Sequence, residues 1–161
     1  MNLIVAVDNK WGIGKNNDLL FSIPKDMKFF RETTTGKTVI MGRATLESFP
    51  NQKPLPKRRN IVITGNPDYE KEGAEIVHSV EEAAALADSD AFVIGGSSIY
   101  RQMLDYCDTA YVTKVKADGN ADCFFPDLDE DCNFELVYQS DPVEDNGYEL
   151  TFCTYKRCTD R

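Results

Sequence analysis

The acid whose surroundings could do chemistry is Asp26, in the segment Leu19-Leu20-Phe21-Ser22-Ile23-Pro24-Lys25-Asp26-Met27-Lys28-Phe29-Phe30-Arg31. Pro24 lacks an amide donor and presets φ for the opening of a helix, and it pushes Ile23 towards an extended conformation. The segment therefore predicts an apolar extended stretch that feeds a helix starting near Pro24. Asp26 falls in the first turn, with Phe30 one turn on along the same face and Met27 beside it. Two readings stand. An acid in a first turn is favoured by the macrodipole alone. A carboxylate framed by Phe21, Ile23, Met27 and Phe30 suits a planar cationic or amidine-like heterocycle.

Two strand-to-helix junctions have the composition of phosphate sites. Residues 37–42 read as a strand closing on Gly42, followed by a short helix through Phe49 that carries Arg43, Ala44 and Thr45. Residues 90–94 read as a strand running into Gly95-Gly96-Ser97-Ser98-Ile99-Tyr100 and a helix to about Leu104. Glycine at a strand end lets a ligand approach, and the amides opening the next helix can hold an anion. Neither junction matches GxGxxG or a P-loop, so a standard dinucleotide domain is not supported. Arg43 can equally cap local structure. A third cluster, Lys57-Arg58-Arg59, follows Pro54-Leu55-Pro56; it is either a solvated turn or a rigid clamp for a ligand carboxylate.

Several elements must position these groups. Leu3 to Val7 is apolar on both faces, as in an interior strand. Residues 8–18, with two glycines, three asparagines, two aspartates and the sole tryptophan, Trp11, predict a long loop of the kind used as a lid or binding loop. Trp11 either belongs to such a site or covers the core edge. Gly36 fits a helix stop. Strands are expected at 60–64 and 75–78, with Thr64-Gly65-Asn66-Pro67 as a turn carrying hydroxyl and amide donors. Ser79 and Glu82 form a capping-box pattern before an alanine-rich helix at 80–87. His78 at that junction reads as structural or peripheral. A strand at 110–115 carries Thr113, which either bonds a buried acid or is an ordinary β-branched strand residue. A polar loop follows at 116–125. Strands at 134–139 and 148–156 flank Asn146-Gly147, a hairpin signal. Strands alternating with helices and then a closing hairpin predict an α/β fold: a mostly parallel sheet, helices on both faces and an antiparallel edge.

Composition bounds the function. The 161 residues suit one domain spanning 1–161, with ordinary hydrophobic (42%) and charged (28%) fractions. A net charge of −9 argues against nucleic acid and against an anionic membrane surface. No signal peptide or membrane span is read, so a cytoplasmic location is expected. Five cysteines without a CxxC pair and a single histidine point to free thiols rather than a zinc site, and no metal is expected. A monomer is expected because no stripe of exposed apolar residues is evident.

Taken together, these residues resemble the bacterial type of dihydrofolate reductase over nearly the whole chain. The resemblance rests on eight pieces in order: Leu3-Ile4-Val5-Ala6, Gly12-Ile13-Gly14, Ile23-Pro24-Lys25-Asp26-Met27, Val39-Ile40-Met41-Gly42-Arg43, Pro54-Leu55-Pro56 with Arg58 and Asn60-Ile61, Val93 through Tyr100, Tyr111-Val112-Thr113 and Phe125-Pro126. It implies one dihydrofolate-reductase-like domain, with an eight-stranded, mostly parallel sheet, a C-terminal antiparallel hairpin and about four helices. It implies NADPH-dependent reduction of 7,8-dihydrofolate to tetrahydrofolate for one-carbon metabolism, and binding of antifolates such as diaminopyrimidines. By resemblance, Asp26 binds the amidine-like edge of the pterin with support from Thr113, and Leu19 and Phe21 complete the catalytic set. Ile4, Val5, Ala6, Met27, Phe30, Phe49, Leu55, Ile94 and Tyr100 border the substrate, and Arg58 holds the α-carboxylate of its glutamate tail. On the cofactor side, Ala6, Ile13, Gly14 and Leu19 border the nicotinamide. Gly42, Arg43, Ala44, Thr45 and Ile94 through Tyr100 (Gly95, Gly96, Ser97, Ser98, Ile99) follow the phosphates, with Thr64 and Gly65 at the adenosine ribose phosphate. The chain departs from the family pattern at Phe21, where relatives carry tryptophan, at Ala44, where histidine is common, and at Ser98, where some carry arginine or lysine. Two rival classes are a pterin or pyrimidine reductase of riboflavin synthesis and a non-catalytic nucleotide-binding module.

Overall fold

The computed structural model describes residues 1–15 and 18–158, with 18 and 19 given by their backbone. The strands are β1 (Asn2–Val7), β2 (Gly12–Lys15), β3 (Asp18–Leu19), β4 (Thr38–Gly42), β5 (Arg59–Ile63), β6 (Ala74–Val77), β7 (Phe92–Gly95), β8 (Thr109–Val115), β9 (Cys123–Phe124), β10 (Phe134–Gln139), β11 (Val143–Asp145) and β12 (Tyr148–Arg157). The helices are α1 (Pro24–Thr34), α2 (Arg43–Glu47), α3 (Val80–Leu86) and α4 (Ser97–Met103). Eight strands run across the main sheet in the order β10-β12-β8-β1-β7-β4-β5-β6, and β11 pairs with β12. The pairs from β8 to β6 are parallel, and those of β12 with β8, β10 and β11 are antiparallel.

Local physics accounts for most boundaries. Ile23, with φ −112 and ψ 118, is extended ahead of Pro24 at the start of α1. Gly36 beyond its end has φ +82, the left-handed conformation that a helix stop requires. The Ser79 hydroxyl accepts the Glu82 amide at 3.1 Å and opens α3. Asn146 and Gly147 both have positive φ, 53° and 84°, as a two-residue hairpin turn demands. That turn joins β11 to the start of β12, whereas β10 pairs with the far half of β12.

β1 divides the interior by its period of two. Leu3, Val5 and Val7 enter the larger core cluster, while Ile4 enters a second one with Val39, Met41, Leu46, Val62 and Phe92. The loop expected over 8–18 is partly strand: β2 pairs with β3 and with β9, which lies inside the loop expected at 116–125. The edge strand β10 exposes Leu136, Val137 and Tyr138 in succession (42%, 48% and 58%), so the expected lack of an exposed apolar stripe does not hold. A register shift between Leu136 and Tyr138 interrupts that edge.

Candidate active site

The site forms where the first turn of α1 faces the carboxyl-terminal ends of β1 and β7. Asp26 is half-buried, and its carboxylate accepts a hydrogen bond from the Thr113 hydroxyl. Thr113 is buried on β8, in register with Ala6 of β1. Burial pushes the Asp26 carboxyl above the usual carboxylate range, and the Thr113 bond partly offsets that rise. On α4, the buried Tyr100 hydroxyl donates towards two carbonyls, Ile4 at 2.8 Å and Ile94 at 2.9 Å. Burial first, and the Asp26 charge second, push this hydroxyl above the ordinary tyrosine range. Asp26 and Tyr100 therefore share one electrostatic environment, with the Ile4 and Ile94 carbonyls converging beside them.

The second core cluster forms the apolar wall. Phe30, Phe49, Leu55 and Ile94 pack against it, and Ile4 belongs to it. Its far end is basic. Asn60, buried, accepts the Leu55 amide at 3.0 Å and donates to the Leu55 and Arg58 carbonyls, which builds the proline-framed loop. Arg58 is held by the Pro56 carbonyl at 3.0 Å and by the Thr34 hydroxyl at 3.2 Å. Burial, and then the neighbouring Arg31 charge, lower its pKa. Two cations side by side, Arg58 on the proline-framed loop and Arg31 in the last turn of α1, suit an anionic ligand group. Asp26 and Thr34 lie eight residues apart on α1, which at about 1.5 Å per residue is about 12 Å.

A second row of groups follows the ends of β7, β4 and β5. Gly42 caps α2 and Gly96 caps α4, neither with a side-chain bond, so their first amides are free to take an anion. A Cβ on Gly42 would lie 3.1 Å from Ile99, and one on either Gly95 or Gly96 would lie 3.5 Å from the Thr45 hydroxyl. The two junctions are therefore neighbours, and glycine keeps the ground between them open. This donor set of amides and a hydroxyl fits a pyrophosphate. Arg43 pairs with Glu47 at 3.0 Å and lies 4.5 Å over the Tyr69 ring. Ala44 and Ser98 are exposed, and Ser97 is half-buried. Thr64 ends the row with its carbonyl 2.9 Å from His78 Nδ1, and Gly65 beside it opens to free space.

Some expected site residues lie elsewhere. The Val5 side chain belongs to the opposite face of β1, inside the larger core. Ile99 is buried in that same core under Gly42, which leaves only its backbone to a ligand. Phe21 packs edge-on against Tyr148 with ring centroids 5.2 Å apart, in a cluster with Ile23, Val115 and Leu150. Met27 is 53% exposed, with its sulfur 3.5 Å from the Ser22 hydroxyl. The Leu19 side chain lies outside the described residues. Trp11 takes the core-edge reading: it is buried and stacks on Phe125. Thr34, Arg31 and Tyr69 were not expected at the site. The eight-residue spacing of Asp26 and Thr34 was the one available signal, because two helical turns return to the same face.

A family model described as dihydrofolate reductase matches residues 1–157. The dihydrofolate reductase of Bacillus subtilis (strain 168) is 37% identical over 161 residues, covering 98% of this chain and 94% of its own. Dihydrofolate reductase type 3 of Salmonella typhimurium is 38% identical over 160 residues, covering 98% of each. Among solved structures, the Enterococcus faecalis dihydrofolate reductase complexed with NADP(H) and RAB-propyl superposes with a TM-score of 0.88 at 38% identity, covering 98% of this chain and 96% of the other.

Proposed function

Since the chain belongs to the dihydrofolate reductase family, and so reduces 7,8-dihydrofolate to 5,6,7,8-tetrahydrofolate with NADPH, we propose how its own residues divide that task. Asp26, ionised, grips the amidine-like edge of the pterin and favours the protonated ring electrostatically. Thr113 orients that carboxylate and holds part of its charge in place. The Ile4 and Ile94 carbonyls, with the Tyr100 hydroxyl between them, meet the polar edge of the ring. Phe30, Phe49 and Leu55 flank its apolar body and the benzoyl group. Arg58 takes the α-carboxylate of the tail, with Thr34 fixing its guanidinium. Asp26 sits at the amidine edge and away from the imine, so it acts by field, and solvent entering beneath residues 12–21 delivers the proton.

NADPH supplies the hydride when bound. Ala6, Ile13 and Gly14 border its nicotinamide end. Gly42, Thr45 and Gly95 through Ser97 hold its phosphates through amides and hydroxyls. Thr64 and Gly65 receive the adenosine ribose phosphate, with Arg43 as the nearby cation. Diaminopyrimidine antifolates take the same amidine-to-carboxylate contact at Asp26. Five unpaired cysteines suit a reducing cytoplasm, and a charge of −9 disfavours self-association of this monomer.

One observation carries this assignment. A half-buried acid, bonded to a buried threonine hydroxyl, faces two converging carbonyls at one end of an apolar wall that ends in arginine. The test follows loss of reduced-nicotinamide absorbance with dihydrofolate for the parent and for substitutions at Asp26 and Arg58. Unchanged constants in both variants would overturn the assignment. Turnover confined to a pyrimidine ribityl substrate would select a riboflavin-type reductase, and binding without turnover a nucleotide-binding module.

A further inference from the structure

Asp8 follows β1 and is 3% exposed, yet the assignment above gives it no task. Its Oδ1 accepts the amides of Lys10 at 2.8 Å and Gly12 at 2.7 Å, and its Oδ2 accepts the amide of Gly119 at 3.0 Å. One carboxylate thus joins two loops more than a hundred residues apart. A dry carboxylate is costly unless hydrogen bonds satisfy it, and charge-assisted bonds to amides are the strong kind. The same loops meet in three backbone bonds, Asn9 to Ala117, Asp122 to Gly14 and Phe125 to Trp11, of 2.9, 2.9 and 2.8 Å. An exposed Lys10–Asp118 pair at 3.0 Å adds little.

The packing leaves no slack around this carboxylate. A Cβ on Gly12 would lie 2.5 Å from the Ala121 Cβ and 2.8 Å from the Asp8 carboxylate. A Cβ on Gly119 would lie 2.8 Å from the Leu20 side chain. Gly119 is therefore held between Asp8, which bonds its amide, and Leu20, which covers its Cα. Trp11, between the two amides that Oδ1 holds, sits at φ +62, a conformation that only firm surroundings maintain for a large side chain.

We propose that Asp8 is a positioning residue for the cofactor: together with the backbone pairing of β2 and β9, its carboxylate holds β2, and with it Ile13 and Gly14, over the cleft. The proposal rests on the assignment of those two residues to the nicotinamide border. Reactive alignment is sensitive at the level of an ångström, so a small drift of β2 reaches the rate.

The test compares Asp8→Asn with the parent. The asparagine oxygen can still accept Lys10 and Gly12, but its amide then faces the Gly119 donor, so only the bond to Gly119 is lost while the backbone bonds between the loops remain. NADPH is expected to bind about tenfold more weakly, and single-turnover hydride transfer to be about tenfold slower, as for one lost charge-assisted bond. Dihydrofolate binding to the free enzyme should stay unchanged, because the Asp26 end of the cleft is untouched. In the parent, NADPH binding should slow hydrogen exchange at the Gly119 amide, because cofactor and carboxylate then hold β2 together; this measurement decides the matter if Asp8→Asn does not fold. Parent-like NADPH binding and hydride transfer in folded Asp8→Asn, or Gly119 exchange that NADPH leaves unchanged, would overturn the proposal. Failure of the underlying residue assignment would show instead as parent-like NADPH binding and hydride transfer in Ile13→Ala.

Discussion

Asp26→Asn removes a charge and keeps the shape. The parent carboxylate is half-buried, and it would lie in contact with a cationic pterin edge. Two unit charges about 4 Å apart interact by about 4 kcal/mol at an effective dielectric near 20. That sets a ceiling of about a thousandfold on the rate. Partial access of solvent to the carboxylate roughly halves the field, leaving about 2 kcal/mol, or about thirtyfold. Single-turnover hydride transfer at pH 7 should therefore fall by a factor within those bounds. The deficit should shrink at acid pH, where the solution itself protonates the substrate. Stability should move the other way. Burial raises the Asp26 pKa in the folded state, so folding binds the proton more tightly than the unfolded chain does. The stability from this proton is present at low pH and is lost as pH climbs from the ordinary carboxylate range through the raised value. At neutral pH the parent thus carries a cost that asparagine escapes, and Asp26→Asn should melt at a higher temperature. Active-site relief of this kind commonly amounts to about 0.5–2 kcal/mol. A variant within threefold of the parent rate at pH 7 would refute the electrostatic role. One both slower and less stable would point to damage rather than to a lost charge.

Three further substitutions probe separate parts of the site and the fold. Thr113→Val removes the hydroxyl that favours the ionised acid, so the Asp26 titration should move further up; the KM for dihydrofolate should rise about tenfold, as for one bond to a charged group, with the acid limb of kcat/KM shifted to higher pH. Arg58→Leu should raise the KM for dihydrofolate about 10–100-fold with kcat nearly unchanged, and should leave a tail-less pteridine substrate unaffected; steady-state kinetics on both substrates check this. Gly147→Ala forces a side chain into φ +84 at the hairpin whose Asp145 carboxylate accepts the Lys25 amide at the start of α1, costing about 1–2 kcal/mol by thermal or urea unfolding.

What the sequence revealed of the fold was whatever local chemistry decides. Pro24, Gly36, Ser79 and Asn146-Gly147 each act within a few residues, and each structural boundary agrees with them. The small sheet of β2, β3 and β9 escaped because its strands are two to four residues long and β2 pairs with β9 over a hundred positions away. Glycine and asparagine dominate the local signal there, and tertiary pairing overrides it. Val5 shows a different limit. In a strand apolar on both faces, period two separates odd from even residues but does not say which set meets the ligand. The burial of the Ile99 side chain against Gly42, a residue of another strand-helix unit, is a contact that no local pattern announces. Asp8 carried no signal at all, since its partners are backbone amides and amides have no sequence.

The position of the acid and the arginine on one helix explains how an acidic protein can present a cleft with opposite charges at its two ends. Asp26 occupies the positive end of the α1 macrodipole, while Arg31 lies in its last turn and Arg58 bonds Thr34 at its negative end. Each charge therefore has the helix terminus that favours it, although burial opposes ionisation at both Asp26 and Arg58. The helix supplies a field in the right sense where desolvation works in the wrong one, without an ion pair that would consume either side chain. Arg43 is the contrast. Its Glu47 partner, one turn on, shares its charge, so the neighbouring anion sites rest mainly on amides and hydroxyls, with Arg43 as the nearby cation. A ligand with a cationic ring at one end and a carboxylate at the other matches Asp26 on the first turn of α1 and Arg58 held by Thr34 about 12 Å along it, and a string of phosphates matches the neutral donors across the strand ends.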